Sequence, residues 1–294
     1  MALRFRNYLF SLFCTLLFFV PGQVNAQTST WNSGAVQGAA TSKATSAKKK
    51  LKDFKDHLQK WGLDTNYTHA FLLGGKLNSD GWSGSMYFVK RKSHDISNFW
   101  EISFSEIKHE KQVKQQGSND DFPLLGNGTP YVFGKLNNLY TLQIGFGKEK
   151  LLLPAVMEGN ISISFRYSGG FSLAMLKPYY LKLIYIDYTA NPETAHMEQH
   201  TYSHADSTEF LDANTILGAA SWSKGLNEIN YVPGAYFQTA FAITPGKNKS
   251  FIQVVTIGIN AAAYAKALPI MIDQKAYPYD VSLFAGLGIG KRWK

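Results

Sequence analysis

The feature that most constrains the fold of this chain is a two-residue alternation of apolar and polar side chains. It is clearest between Ile161 and Met175, where Ile161, Ile163, Phe165, Tyr167, Phe171, Leu173 and Met175 share one parity. Because the side chains of a β-strand point alternately to its two faces, this pattern predicts a strand between two different environments. Gly169 and Gly170 interrupt the alternation without shifting its parity, which predicts one long strand with a bend and not a hairpin.

Weaker versions of the same alternation recur along the chain. They predict seven further strands over residues 67–77, 82–91, 99–106, 140–147, 235–244, 250–262 and 280–292. Ser, Thr, Gln and Gly dominate the polar parity, which favours the crowded interior of a narrow barrel over a water-facing sheet. We therefore predict an all-β fold, a closed antiparallel transmembrane β-barrel of eight strands. The alternative is ten strands, with residues 177–188 and a partner segment added.

The predicted connections differ in length in a regular way. The long ones, 107–138, 176–234 and 265–279, are all odd-numbered along the chain, and the even-numbered connections are short. Short periplasmic turns and longer external loops are typical of outer-membrane barrels whose two termini lie in the periplasm. We predict a barrel over residues 64–294, with long external loops at 107–138 and 176–234.

Composition excludes two other fold classes. The 294 residues are 45% hydrophobic, 14% aromatic and 17% charged, which excludes a disordered chain and a coiled coil. No window of 18 apolar residues predicts a membrane-spanning helix, whereas a membrane-spanning strand needs only about ten residues.

Residues 1–26 have the pattern of a secretory signal peptide. Arg4 and Arg6 precede an apolar run from Tyr8 to Val20, and small residues end at Ala26. This predicts export and an outer-membrane location in a Gram-negative-type bacterium. The single cysteine, Cys14, lies inside the signal peptide, so the predicted mature chain has no disulfide.

Residues 27–63 form a separate periplasmic segment, in which a polar lead precedes a short amphipathic helix. Leu51, Phe54, Leu58 and Trp61 recur at helical spacing, and Gly62 can end the helix. The surrounding lysines are Lys48, Lys49, Lys50, Lys52, Lys55 and Lys60. The helix can brace the periplasmic end of the barrel, or its basic face can bind lipid or a partner protein. Nucleic acid is not an expected partner of an exported chain.

The end of the chain and three internal segments carry a resemblance to a known group. The last strand alternates with glycine and is followed by Lys291-Arg292-Trp293-Lys294, and the three segments are 74–82 (GGKLNSDGW), 133–140 (FGKLNNLY) and 176–180 (LKPYY). Together with the signal peptide, they resemble uncharacterised outer-membrane β-barrel proteins of the Bacteroidota over residues 64–294. The resemblance implies the fold and the location, and it implies no catalytic residue. These barrels often end in an aromatic residue, whereas here Trp293 is penultimate.

Glu101, Arg166 and Tyr87 fall on the polar, lumen-facing parity of their strands. A charge inside a narrow barrel needs a partner. We therefore predict an internal Glu–Arg network that fills the lumen. Eight strands leave an interior that side chains just fill, so a wide pore is not expected.

A spaced histidine set is the one candidate metal site. His196, His200 and His204 lie four residues apart, and on a helix their imidazoles would line one face and could bind a metal ion. The alternative is a solvated polar loop. Met197 stands where the helical zinc-protease signature has glutamate, so this set does not predict protease chemistry. No cofactor is predicted.

Three functions from different classes remain open. The leading hypothesis is a non-enzymatic structural or accessory subunit of an envelope complex, with outer-membrane lipids and other envelope proteins as partners. The first alternative is a small-solute channel. The second is a lipid-modifying enzyme with a site at the rim, where His69, His94 and His109 lie near strand ends.

Overall fold

A computed structural model describes residues 67–117, 128–154, 161–187, 194–203, 210–213, 215–245, 251–272 and 274–293. The predicted signal peptide, the periplasmic segment 27–63 with its six lysines, and His204 lie outside the described residues. None of the helical turns in these ranges has the length and apolar character needed to cross a bilayer.

Thirteen strands run through the described residues. They are β1 (His69–Asn78), β2 (Gly81–Arg91), β3 (Ile96–Ile107), β4 (Lys114–Gln116), β5 (Pro130–Val132), β6 (Asn137–Leu153), β7 (Ile161–Pro178), β8 (Tyr180–Asp187), β9 (Thr194–Thr201), β10 (Ile216–Ala219), β11 (Asn230–Pro245), β12 (Phe251–Tyr264) and β13 (Tyr279–Trp293). Eight of them form a closed antiparallel barrel in the order β1-β13-β12-β11-β7-β6-β3-β2. The prediction of an eight-stranded all-β barrel is confirmed, and β7 is the single long strand expected across Gly169-Gly170.

The ten-strand alternative is wrong. β8 covers most of the predicted extra strand, but it pairs with β9 and β10 in a separate three-stranded sheet. Leu181 and Leu183 of β8 are almost completely buried in an apolar cluster outside the barrel. Its weak alternation therefore reflects the small core of a loop and not a lipid-facing strand.

Pairing of the first and last strands closes the barrel. β1 and β13 pair from His69↔Trp293 to Asn78↔Phe284. Every barrel strand therefore has a neighbour on both sides, which satisfies its backbone N–H and C=O groups. The sheet has no free edge for another chain to join.

The outer surface of the barrel is apolar. Its most exposed large side chains include Leu73, Leu77, Met86, Phe88, Trp100, Ile102, Ile144, Phe146, Phe171, Phe237, Phe241, Ile257, Val281, Leu283, Leu287 and Ile289. The alternate positions of the same strands are mostly buried and carry many Ser, Thr, Gln and Gly residues. The two alternating sets of residues found in the sequence thus face the outside and the inside of one closed sheet.

The two ends of the barrel differ. At the terminal end, where His69 and Trp293 lie, residues 92–95, 154–160 and 246–250 connect the strands. At the opposite end, which we call the loop end, residues 108–136, 179–229 and 265–278 form long connections, and only the β1–β2 turn is short. The barrel strands extend farther than the sequence pattern indicated, so the longest connection starts after Pro178 and ends before Asn230.

The loop end carries a small module with its own apolar core. This loop module comprises the sheets β8–β9–β10 and β4–β5, and its buried side chains are Tyr131, Leu181, Leu183, Phe210 and Ile216. Thr129 joins the two connections, since its backbone N–H donates to Leu217 O at 3.1 Å and its Oγ1 donates to Ala219 O at 3.1 Å. The described parts of these two connections therefore pack against each other.

Two glycines allow adjacent strands and a tyrosine to pack inside the barrel. A Cβ atom on Gly145 would collide with the Tyr236 hydroxyl and with the backbone oxygen of Gly169. A Cβ atom on Gly170 would collide with the backbone of Ile144. This requirement explains the glycines of β6 and β7.

We predict that Gly145→Ala destabilises the barrel by about 1–3 kcal/mol, because its added methyl group overpacks the interior. The matched control is Gly84→Ala, since a Cβ atom there has no neighbour within 4 Å. Urea unfolding in detergent micelles, followed by intrinsic fluorescence, measures both. Equal stability of the two variants would contradict the packing described for Gly145.

Candidate functional site

A buried ion pair lies in the middle of the lumen. Lys76 on β1 and Glu101 on β3 are 5% and 0% exposed, and Lys76 Nζ donates to Glu101 Oε1 at 2.8 Å. Their strands are separated by β2, so the pair spans the interior across an intervening strand. Buried charges persist only where partners replace the lost water, and this pair meets that condition.

Two more strands complete the partners of this ion pair. Ser168 Oγ on β7 donates to Glu101 Oε2 at 2.9 Å. Gln238 on β11 accepts from Lys76 Nζ at 3.0 Å and donates from Nε2 to both Glu101 oxygens at 3.3 Å. Side chains from four strands thus meet on one carboxylate and one ammonium, and they fix the spacing of opposite barrel walls.

Arg166 belongs to a second, neighbouring ion pair. Arg166 Nε donates to Glu149 Oε2 at 3.0 Å, and Ser164 Oγ donates to Glu149 Oε1. The Tyr87 ring lies between the two pairs, with its centroid 5.5 Å from Lys76 Nζ and 5.6 Å from Arg166 Cζ. Glu101, Arg166 and Tyr87 all face the lumen, but the predicted Glu–Arg contact is replaced by Lys76–Glu101 and Arg166–Glu149.

Sequence reasoning missed Lys76, Glu149 and Gln238. Both faces of β1 are apolar around Ala70 to Leu73, so the alternation that would assign Lys76 to the interior is weak. Glu149 lies beyond the predicted end of its strand, among outward-facing lysines. The one available signal was parity: Lys76 lies an even number of residues from Ala70 and Leu72, which are both buried.

Apolar clusters fill the lumen on both sides of the charged layer. Near the terminal end lie Ala70, Leu72, Tyr87, Val89, Phe99, Ala242, Ile252 and Val254. Near the loop end lie Leu139, Ala174, Leu176, Val232, Tyr236, Ala262, Tyr264 and Leu268. Beside the ion pairs, a cavity lined by Leu72, Lys76, Ser85 and Arg166 has room for about one water molecule. Side chains of the described residues therefore fill the interior on both sides of the ion pairs, as in the core of a soluble protein.

His196 and His200 lie on strand β9, and not on the helix on which a shared metal site was predicted. His196 and His200 face the same side of β9, but four residues of a strand span about 13 Å, against about 6 Å in a helix. Glu198 lies between them, with Oε1 3.4 Å from His196 Nε2 and Oε2 2.8 Å from His200 Nε2. Contact with His200 lowers the pKa of Glu198.

Among the described residues, no three His, Cys, Asp or Glu side chains come together as metal ligands. Because His204 lies outside these residues, the metal site of His196, His200 and His204 stays a prediction.

The three rim histidines occupy separate places. His69 stacks on Trp293 with ring centroids 6.3 Å apart, and His94 Nδ1 lies 3.3 Å from Asp95 Oδ1. Both lie near the terminal end. His109 lies at the loop end, where its Nδ1 accepts from the backbone N–H of Lys111 at 3.2 Å. The structure therefore does not bring the three imidazoles to a shared site.

Comparisons with known proteins show a distant likeness in shape only. No protein-family model matches the chain, and no curated protein matches it. Among solved structures, Neisserial surface protein A is 7% identical with a TM-score of 0.38, and the match covers 77% of this chain and 96% of that chain. A major outer membrane protein from Thermus thermophilus is 6% identical with a TM-score of 0.38, over 76% and 99% of the two chains. The attachment invasion locus protein Ail of Yersinia pestis is 7% identical with a TM-score of 0.33, over 77% and 97%.

We predict that Glu101→Gln destabilises the barrel by about 3–5 kcal/mol, because it leaves the Lys76 ammonium buried without its counter-charge. The double variant Lys76→Met/Glu101→Gln should recover most of this loss. Unfolding free energies of the wild type, both single variants and the double variant form the test.

The control for this cycle is Glu106→Gln. Its partner Lys108 is 3.9 Å away, and that pair is partly exposed, so the expected loss is about 0–1 kcal/mol. A double variant as unstable as the sum of the two single variants would contradict the coupling of Lys76 and Glu101.

Proposed function

We propose that the chain is an outer-membrane β-barrel protein that crosses the bilayer with its eight barrel strands. The observation that supports this proposal is the distribution of charge on the outer face. At the outward positions of the barrel strands, charged residues occur only near the ends. Lys90, Lys148, Lys150 and Lys291 lie near the terminal end, and Glu106 lies near the loop end, together with Lys177, which the Trp222 ring covers. An uncharged apolar band between two charged borders is what a bilayer requires.

Aromatic residues mark the loop-end border of this band. Trp82, Phe104 and Tyr140 follow one another across three strands, with ring centroids 6.4 Å and 5.8 Å apart. Trp222 adds to the row by donating from Nε1 to the Tyr140 hydroxyl at 3.1 Å. At the other border, Trp293 stacks on His69. Amphipathic rings at both borders are typical of proteins that span a membrane.

We further propose a non-enzymatic role as a structural or accessory subunit that contacts other envelope proteins through the loop module. The filled lumen leaves the loops as the part of the barrel that is free to bind. The loop module supports this role because the exposed strand β9 pairs with β8, whose Leu181 and Leu183 are anchored in the apolar core of the module. Preformed surfaces bind with a smaller entropy loss than flexible loops do.

The channel alternative has less support. A steady current needs a continuous water path, whereas two apolar clusters and two ion pairs occupy the lumen. The lipid-modifying enzyme has less support because His109 lies at the opposite end of the barrel from His69 and His94, and these two have separate partners.

The test reconstitutes the full chain in planar bilayers and, separately, isolates it from native membranes with mild detergent. We expect heat-modifiable migration of the inserted barrel, no steady conductance, and co-purification with a partner in constant stoichiometry. The test variant carries Met197→Asp and Gln199→Asp on the exposed part of β9. We expect it to insert normally and to lose the partner. Steady single-channel conductance would favour the channel, and recovery of the barrel alone from native membranes would contradict the accessory role.

A further inference from the structure

A group of lysines lies just beyond the aromatic row at the loop end. Its members are Lys108, Lys114, Lys135 and Lys177, and we call them the loop-end lysine patch. Lys177 on β7 pairs with Asn138 on β6. On the other side of β6, Ile107 of β3 pairs with Leu139, so Lys108, which follows Ile107, lies level with Asn138. Lys108 and Lys177 thus flank Asn138 on neighbouring strands. The row of Tyr140, with its contacts to Phe104 and Trp222, lies directly below them on the outer face.

Lys135 lies at the centre of this patch. It is 6% exposed, and its Nζ donates to Gln112 Oε1 at 3.3 Å. Nζ also lies 5.3 Å from the centroid of the Tyr179 ring, two residues after Lys177. Gln112 lies between Lys108 and Lys114 in the chain, so these two contacts bring the segments of all four lysines together.

The patch has more positive charge than its described surroundings neutralise. Lys177 is 3% exposed, and its Nζ faces the Trp222 ring at 5.4 Å. Among the described residues, no carboxylate lies within ion-pair distance of Lys135 or Lys177. Glu106 is the nearby carboxylate, and it already accepts from Trp82 Nε1 at 2.7 Å and faces Lys108 Nζ at 3.9 Å.

The electrostatic state of Lys135 agrees with this imbalance. Burial lowers its pKa to about 8, against the opposing effect of Glu106, and the charges of Lys108, Lys114 and Lys177 lower it further. A bound anion would relieve the repulsion among the lysines, because an ammonium group beside an anionic oxygen forms a charge-assisted hydrogen bond.

We propose that the loop-end lysine patch binds a phosphate group on the headgroup of a membrane lipid. The position of the patch selects the lipid over a free anion, since the patch lies directly above the aromatic row and the apolar band. An acyl chain below a phosphate at this height would run along the apolar outer face of β3, β6 and β7. This inference rests on the proposed insertion of the barrel in the outer membrane. Basic side chains at the headgroup level contribute about 1 kcal/mol each toward anionic lipids.

The test measures binding of diphosphoryl lipid A to the full chain folded in detergent micelles, by native mass spectrometry. The same lipid without its phosphates and inorganic phosphate alone are the comparison ligands. We expect the phosphorylated lipid to bind at least about tenfold more tightly than either comparison ligand, because three or four lysines would lie near its phosphate.

The test variant is Lys108→Gln/Lys114→Gln/Lys135→Gln, which we expect to lose at least this tenfold preference. The matched control is Lys90→Gln/Lys148→Gln/Lys291→Gln, which removes three outward lysines at the terminal end and should change binding by less than about twofold. If the test variant does not fold, the single changes Lys108→Gln and Lys114→Gln, both at exposed positions, should each give a smaller loss in the same direction.

The outcomes separate this inference from the proposed function. A chain that inserts in vesicles but binds the lipid equally with and without phosphate overturns the lysine patch alone. Equal affinity for inorganic phosphate and for the lipid overturns the lipid as the source. A chain that does not insert overturns the proposed function, whatever its phosphate affinity.

Discussion

The rest of this structure depends on the backbone pairing of β1 with β13. In a bilayer no water is available for exposed N–H and C=O groups, so a sheet can cross only when its first and last strands meet. The ten paired residues of β1, from His69 to Asn78, complete that closure. In a closed sheet that crosses a bilayer as proposed, each strand places alternate residues in lipid and in a narrow interior, which agrees with the two-residue pattern of the sequence.

Closure also explains why the interior resembles the core of a soluble protein. An eight-stranded barrel leaves a space that side chains just fill, and polar groups within it must pair with one another. Lys76, Glu101, Ser168 and Gln238 form one such set, and Arg166 with Glu149 forms another. Apolar clusters on both sides of the charged layer limit the access of water to the ion pairs, beside which there is room for about one water molecule. Under the proposed function, the outer surface and the loops are the parts of this chain that meet lipid and partners.

The barrel could be predicted from the sequence to a large extent, because apolar and polar side chains alternate along each strand and so indicate which residues share a face. Each of the eight predicted segments overlaps one barrel strand, and β7 keeps its parity across Gly169-Gly170. The pairing partners inside the lumen could not be predicted, because they depend on which strands lie opposite each other. The loop module was missed for a related reason: its core joins Tyr131 and Leu183 from two distant connections. The strand that holds His196 and His200 could not be predicted, because its pairing with β8 depends on a distant segment and overrides the helical spacing of the two residues.

The most direct test of the account is the accessibility of spin labels along β13 in lipid nanodiscs. Labels at Leu283, Ala285 and Leu287 should collide with oxygen dissolved in the bilayer and be shielded from a water-soluble nickel reagent. Labels at Ser282, Phe284 and Gly286 should be shielded from both, because the lumen is filled. Nickel access to the first set would contradict the lipid-facing band, and nickel access to the second set would contradict the filled lumen.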